Sequence, residues 1–277
     1  MPSYASLMVA VDLDPTATER IKLASSLADR FGARLIGVAG TSAFAPLYHD
    51  MSPVAHARLI EDEWRRAGEA LERAQALFRA AAGSRGGVEW RAAAGEPVDH
   101  LISQARAADL VVVGRPGPDD ALDPRLRVPP GPLLMGLGRP VLLAPPGVER
   151  LSAARVVVAW KDTRETRRAV LDSLPLVRTA EAVFVVVVGE AEGGGEGRDG
   201  AADVAAYLAR HGAASATVLR PEPEGSVADT LQRTAKREGA DLIVAGAYGH
   251  SRLRQWVFGG VTRDLLGNAS ICCLLSR

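Results

Sequence analysis

The apolar positions of the chain gather into ten short, mostly continuous runs rich in β-branched residues. In the first half they are 7–11, 34–39, 88–92, 110–114 and 141–144; in the second, 155–160, 183–188, 215–219, 242–245 and 271–275. Strands that alternate apolar and polar residues have one solvated face, whereas strands apolar throughout are covered on both, as in a parallel sheet. The stretches between them are amphipathic at helical spacing. Each half therefore reads as strand and helix in strict alternation, five strands to a half. Right-handed crossovers then predict an α/β fold of two tandem doubly wound domains, each a five-stranded parallel sheet in the order 3-2-1-4-5 with helices on both faces.

The halves are copies. Ala108-Asp109-Leu110-Val111-Val112-Val113-Gly114-Arg115-Pro116-Gly117 returns as Ala240-Asp241-Leu242-Ile243-Val244-Ala245-Gly246-Ala247-Tyr248-Gly249, with both glycines in register. Pro140-Val141-Leu142-Leu143 returns as Cys272-Cys273-Leu274-Leu275, and the first strands, Leu7–Val11 and Val156–Trp160, correspond as well. Pro145-Pro146-Gly147 reads as a linker, which divides the chain into domains 1–147 and 148–277. The last strand, 271–275, would be an exposed edge so near the terminus. It is expected to pair with Val141–Ala144, making the monomer a pseudo-dimer.

Between the strands, Asp14 before Pro15 reads as a helix N-cap, and Ser226 as the cap of a helix running to Glu238. Residues 41–87 form a first-half insertion holding a strongly helical stretch, Glu61–Ala82. It is expected to pack across its own sheet, with an interaction surface as the alternative. Tyr48, Trp64 and Trp90 read as packing residues, and Gly189–Gly200 as a flexible surface loop.

Composition narrows the functional classes. The 33 basic and 33 acidic side chains cancel, so no global field recruits nucleic acid or an anionic membrane, and any bound anion needs a local site. No apolar run is long enough to span a bilayer, and the first residues do not read as a secretion signal, which makes the cytoplasm the expected location. Cys272 and Cys273 are adjacent, so in a strand they point to opposite faces and do not bridge. His49, His56, His100 and His211 lack metal-ligand spacing and read as surface residues.

In a doubly wound sheet the ligand sits where the winding reverses, at the carboxyl ends of strands one and four. The repeated glycines stand there. In the second half Gly246 and Gly249 allow a positive φ and a close backbone approach, and Gly259 and Gly260 open the last helix, whose free N–H groups favour an anion. Two glycine pairs with nine residues between their nearest members, ahead of a helix start, point to phosphate.

The same residues resemble the G-x2-G-x9-G-[S/T] signature of the universal stress proteins, and Ala240–Val244 and Gly259-Gly260-Val261-Thr262 are similar to that family's flanking sequence. The likeness extends to both halves, as in tandem members. It implies binding of ATP or AMP, with or without magnesium, in a cytoplasmic stress-response protein that is dimeric or pseudo-dimeric through its last strand. Carried over by position, Gly246, Gly249, Gly259 and Gly260 are the ribose and phosphate contacts. Ala159, Trp160, Lys161, Val188 and Ala245 wall adenine and ribose, and Val261 and Thr262 complete the site; His250, in the loop, reads equally as a phosphate contact or a solvated charge. Arg252 and Arg254 read as solvated charges.

Departures from the family pattern are specific. Gly260 stands where a hydroxyl residue is usual, so Thr262 is the expected substitute, and Lys161 replaces the aspartate that Asp12 supplies in the first half. The first half keeps Gly114 and Gly117 but has Arg127 and Val128 in place of the second glycine pair, among Pro129, Pro130 and Pro132, and proline offers no N–H to an anion. Its pocket is expected to be degenerate. Three functions follow in order: a regulatory nucleotide binder without turnover, a scaffold acting through protein contacts, and a slow ATP hydrolase using Asp162 and Thr163 to hold magnesium.

Overall fold

The computed structural model describes residues 3–42, 52–115, 125–189, 200–248 and 260–277. Among them the first half runs β1 (Ser6–Ala10), α1 (Ala17–Phe31), β2 (Arg34–Thr41), α2 (Pro53–Ala82), β3 (Val88–Ala94), α3 (Pro97–Gln104), β4 (Leu110–Gly114), α4 (Pro130–Gly136) and β5 (Val141–Ala144). The second runs β6 (Arg155–Ala159), α5 (Arg164–Val177), β7 (Ala182–Val186), α6 (Ala201–Arg210), β8 (Ala216–Leu219), α7 (Val227–Arg237), β9 (Leu242–Gly246), α8 (Gly260–Asn268) and β10 (Cys272–Ser276).

All ten strands join one sheet in the order β3-β2-β1-β4-β5-β10-β9-β6-β7-β8. Each half has the expected 3-2-1-4-5 order, parallel throughout, and the halves meet where β5 and β10 pair antiparallel. There Leu142 faces Leu274, its own counterpart in the repeat, flanked by Cys273 against Leu143 and Leu275 against Val141. A pseudo-twofold axis therefore passes through the Leu142–Leu274 pair.

The continuous apolar strands are explained by helices on both faces. Leu7, Val9, Val156 and Val158 point to the face covered by α1, α2, α5 and α6, while Met8, Ala10 and Val157 point to that covered by α3, α4, α7 and α8. Each face holds one apolar cluster that crosses the pseudo-twofold. Polar contacts reinforce the seam: the Tyr4 hydroxyl donates to the Asp172 carbonyl at 2.7 Å, and Lys22 meets Glu149 at 2.7 Å.

The repeated Ala-Asp pair has an architectural use. The Asp109 carboxylate accepts from the amides of Ala5 and Ser6 at 2.8 and 3.0 Å, and Asp241 accepts from Ser152 and Ala153 at 3.0 and 2.9 Å. Each aspartate thus anchors the chain entering the first strand of its half. Gly37, inside β2, gives up its side chain to Phe78 of α2, whose ring would lie 2.8 Å from a Cβ there. Phe78 stacks in turn on Trp90, with ring centroids 5.5 Å apart.

Several local expectations change. The long helix starts at Pro53, capped by Ser52, and its inward face of Ala67, Ala70, Ala74, Phe78 and Ala82 follows helical spacing. Trp64 is 50% exposed and does not pack inward, because it lies off that stripe. The cap of α1 is Thr16, not Asp14, whose carbonyl instead accepts from Ala17 in the preceding turn. Ser226 does cap α7, in a reciprocal box with Asp229. His100 is not a surface residue in full: it packs over Gly40, its Nε2 is buried, and burial holds its pKa below the usual value. Tyr48, His49 and most of the 189–200 loop lie outside the described residues. No helix among the described residues is long and apolar enough to cross a membrane.

Candidate functional site

The second-half site is built at the carboxyl ends of β6, β7 and β9. Sheet register sets Ala159 between Val186 of β7 and Ala245 of β9. Ala159, Val188, Ala245, Tyr248 and Val261 all pack on the face that α7 and α8 cover, so the structure gathers them at one end of a single apolar surface. Trp160 is on the other face. Its indole is 6% exposed within the α5 and α6 core, a consequence of strand alternation, and only its backbone, donating to the Val186 carbonyl at 2.8 Å, stays with the site.

After β9, the Ala247 amide bonds the Ser276 carbonyl at 2.8 Å, and Tyr248 turns the chain with φ of 61°. The Tyr248 N–H donates to the Thr262 hydroxyl at 3.3 Å, stapling the first turn of α8 to the strand end. Thr262 is 5% exposed, and its oxygen accepting this bond makes it a clasp as well as the substitute hydroxyl the sequence suggested. Gly260 is exposed, and a Cβ there would meet nothing within 4 Å among the described residues. The first N–H groups of α8 have no partner within the helix. Gly249, His250 and Gly259, together with Arg252 and Arg254, lie outside the described residues.

Gly246 departs from the reading of its sequence. It does not have a positive φ, and a Cβ on it would stand 2.5 Å from the Thr166 amide and 2.8 Å from the Glu165 carbonyl carbon. Glycine is required there because the start of α5 presses against the end of β9. The positive φ falls instead on Tyr248.

Beyond β6, Lys161 and Asp162 are exposed. The Asp162 carboxylate accepts from Arg167 Nη2 and Nε at 2.6 and 2.9 Å, and Thr163 caps α5 by accepting from the Thr166 amide at 3.3 Å. Both groups that sequence offered for magnesium have structural partners.

In the first half the equivalent space is filled. Arg20, 3% exposed, reaches from α1 to the ends of β1 and β4, where its Nη2 lies 2.6 Å from Asp12 Oδ1 and its Nε donates to the Ala10 carbonyl at 3.0 Å. A Cβ on Gly114 would sit 2.1 Å from Arg20 Nη1, so here the repeated glycine makes room for a guanidinium. What remains is a cavity of about 10 Å³ lined by Asp12, Asp14, Arg20, Arg115, Arg127 and Val128 among others, room for no more than a water molecule. Ala169 takes the place of Arg20 in the second half and Lys161 that of Asp12. Arg20 escaped the sequence reading, although an arginine between Ala17 and Ile21 on the apolar stripe of α1 was the signal.

The strand order and the two switch points define a duplicated, doubly wound α/β protein. Residues 151–277 match the universal stress protein family, and the C-terminal half is a domain of that family. Over its whole length the chain is similar to a universal stress protein from Archaeoglobus fulgidus DSM 4304, with 15% identity, a TM-score of 0.69, and 99% of this chain and 98% of that one covered. It is also similar to a functionally unknown protein from Pseudomonas aeruginosa PAO1, with 16% identity, a TM-score of 0.57, and 99% and 92% covered. A universal stress protein in complex with cAMP is 26% identical over 52% of this chain and 98% of its own, with a TM-score of 0.36. No curated protein matches the chain.

Proposed function

We propose that the protein is a regulatory adenine-nucleotide binder of the stress response, taking ATP or AMP in its C-terminal half and acting in the cytoplasm without turning the nucleotide over. One observation carries the reading: the first turn of α8 and the apolar end surface of Ala159, Val188, Ala245 and Val261 lie at the same end of the sheet, on the face that α7 and α8 cover. The N–H groups of Gly260 and Val261 would hold phosphate, the apolar surface would cover the base, and the exposed ammonium of Lys161 adds positive charge at the rim. Magnesium, when bound, would neutralise phosphate charge. The Arg167 and Thr166 partners of Asp162 and Thr163 speak for binding over hydrolysis.

The scaffold reading keeps one specific support, the internal filling of the first-half cleft by Arg20 and Asp12. It makes the first half an architectural partner. Mass analysis of small molecules released when the purified protein is denatured distinguishes the two. Adenine nucleotide in the released fraction, or a rise in melting temperature on adding millimolar ATP or AMP to stripped protein, supports binding. Neither signal at millimolar nucleotide leaves the scaffold.

A further inference from the structure

Two arginines cross the pseudo-twofold to the ends of helices. Arg115, the residue after Gly114, donates from Nη1 to the Gly267 carbonyl at 2.9 Å, and Arg277 donates from Nη1 to the Met135 carbonyl at 2.9 Å. Gly267 is in the last turn of α8, where carbonyls have no donor within the helix. A guanidinium there satisfies one of them and sets positive charge at the negative end of the helix.

α8 has nine residues, so it is a short rod of about 13 Å. Its first turn is fixed to its own half by the Tyr248–Thr262 clasp, and its last turn is held by a side chain of the other half. Hydrogen bonds from the first turn to a ligand weaken steeply with angle and distance, so a helix free to pivot at its far end aims them poorly. Arg115 also lines the first-half cleft beside Asp12 and Arg20.

We infer that Arg115 is a positioning residue for the nucleotide site of the opposite half: by holding the C-terminal end of α8, it fixes the direction of the N–H groups at the other end. This rests on the nucleotide reading above and names a part of the first half that serves it. The test is ATP affinity of the full chain in four forms, together with hydrogen exchange at the amides of residues 260–264. Arg115→Met, which keeps the stem and loses the charged donor, should weaken ATP binding about tenfold and speed exchange in the first turn of α8. Arg115→Lys should recover most of the affinity. Lys22→Met, which breaks the exposed cross-half pair with Glu149, should leave both measurements at wild-type values.

Wild-type affinity and unchanged α8 exchange in Arg115→Met overturn the inference while the nucleotide reading stands. If wild-type protein binds no ATP, the nucleotide reading fails by itself. Should Arg115→Met not fold, Arg115→Lys against Lys22→Met decides, since weaker ATP binding in Lys22→Met than in Arg115→Lys contradicts a local role.

Discussion

Arg20 and Asp12 form a buried ion pair, 2.6 Å between Nη2 and Oδ1, in the cleft where the first half would otherwise receive a ligand. Removing one partner of such a pair leaves the other charged and desolvated. Arg20→Met should therefore lower stability by about 3–5 kcal/mol, and adding Asp12→Asn to it should return a large part of that loss. Urea unfolding of the two variants measures both effects; an Arg20→Met protein as stable as wild type would contradict the assignment of the pair as the cleft's filling.

The two glycines of the second-half site should respond in opposite ways. Gly246→Ala forces a Cβ to within 2.5 Å of the Thr166 amide, so the start of α5 must shift and stability should fall by about 1–3 kcal/mol. Gly260→Ser meets nothing within 4 Å among the described residues and adds a hydroxyl at the start of α8, so stability should hold and ATP affinity should rise about tenfold. Thermal unfolding and nucleotide titration of both variants check the contrast.

Cys272 and Cys273 sit back to back in β10, beside the pseudo-twofold. Burial pushes the Cys272 thiol from its ordinary 9.0 up to about 12, and burial raises Cys273 further. Below about pH 8 both states of the protein keep these thiols almost fully protonated and they contribute little pH dependence. From there upward the unfolded chain releases protons that the folded chain retains, so stability should fall as pH rises toward 12, by up to about 1.4 kcal/mol per pH unit for each thiol. Urea midpoints between pH 8 and 10 should decline more steeply in wild type than in a Cys272→Ala, Cys273→Ala double variant. Native protein should also resist thiol reagents at pH 8 until it is unfolded.

Much of this architecture was legible in the residues alone, because parallel strands buried on both faces leave continuous apolar runs and a duplicated sequence repeats them. Leu110–Gly114 and Val141–Ala144 fall at the expected limits, and the pairing of the last strands follows from the edge that Cys272–Ser276 would otherwise expose. The switch point was legible from the strand order, but the uses of its glycines were not. Gly246 and Gly114 look alike in sequence yet serve a helix start in one half and a guanidinium in the other, since each is decided by a neighbour distant along the chain. The Trp160 indole turns to the opposite face and the Thr262 hydroxyl meets the Tyr248 amide, because strand alternation and the Tyr248 turn set where these side chains go.

The proposed nucleotide site lies in the C-terminal half, at the start of α8, and not in the first half. Isothermal titration of ligand-stripped full-length protein with ATP and with AMP tests it most directly. One saturable site per chain, lost when Gly249 is replaced by Val and kept in Arg127→Ala, is the predicted result; the absence of heat at millimolar nucleotide, or two equal sites per chain, would contradict it.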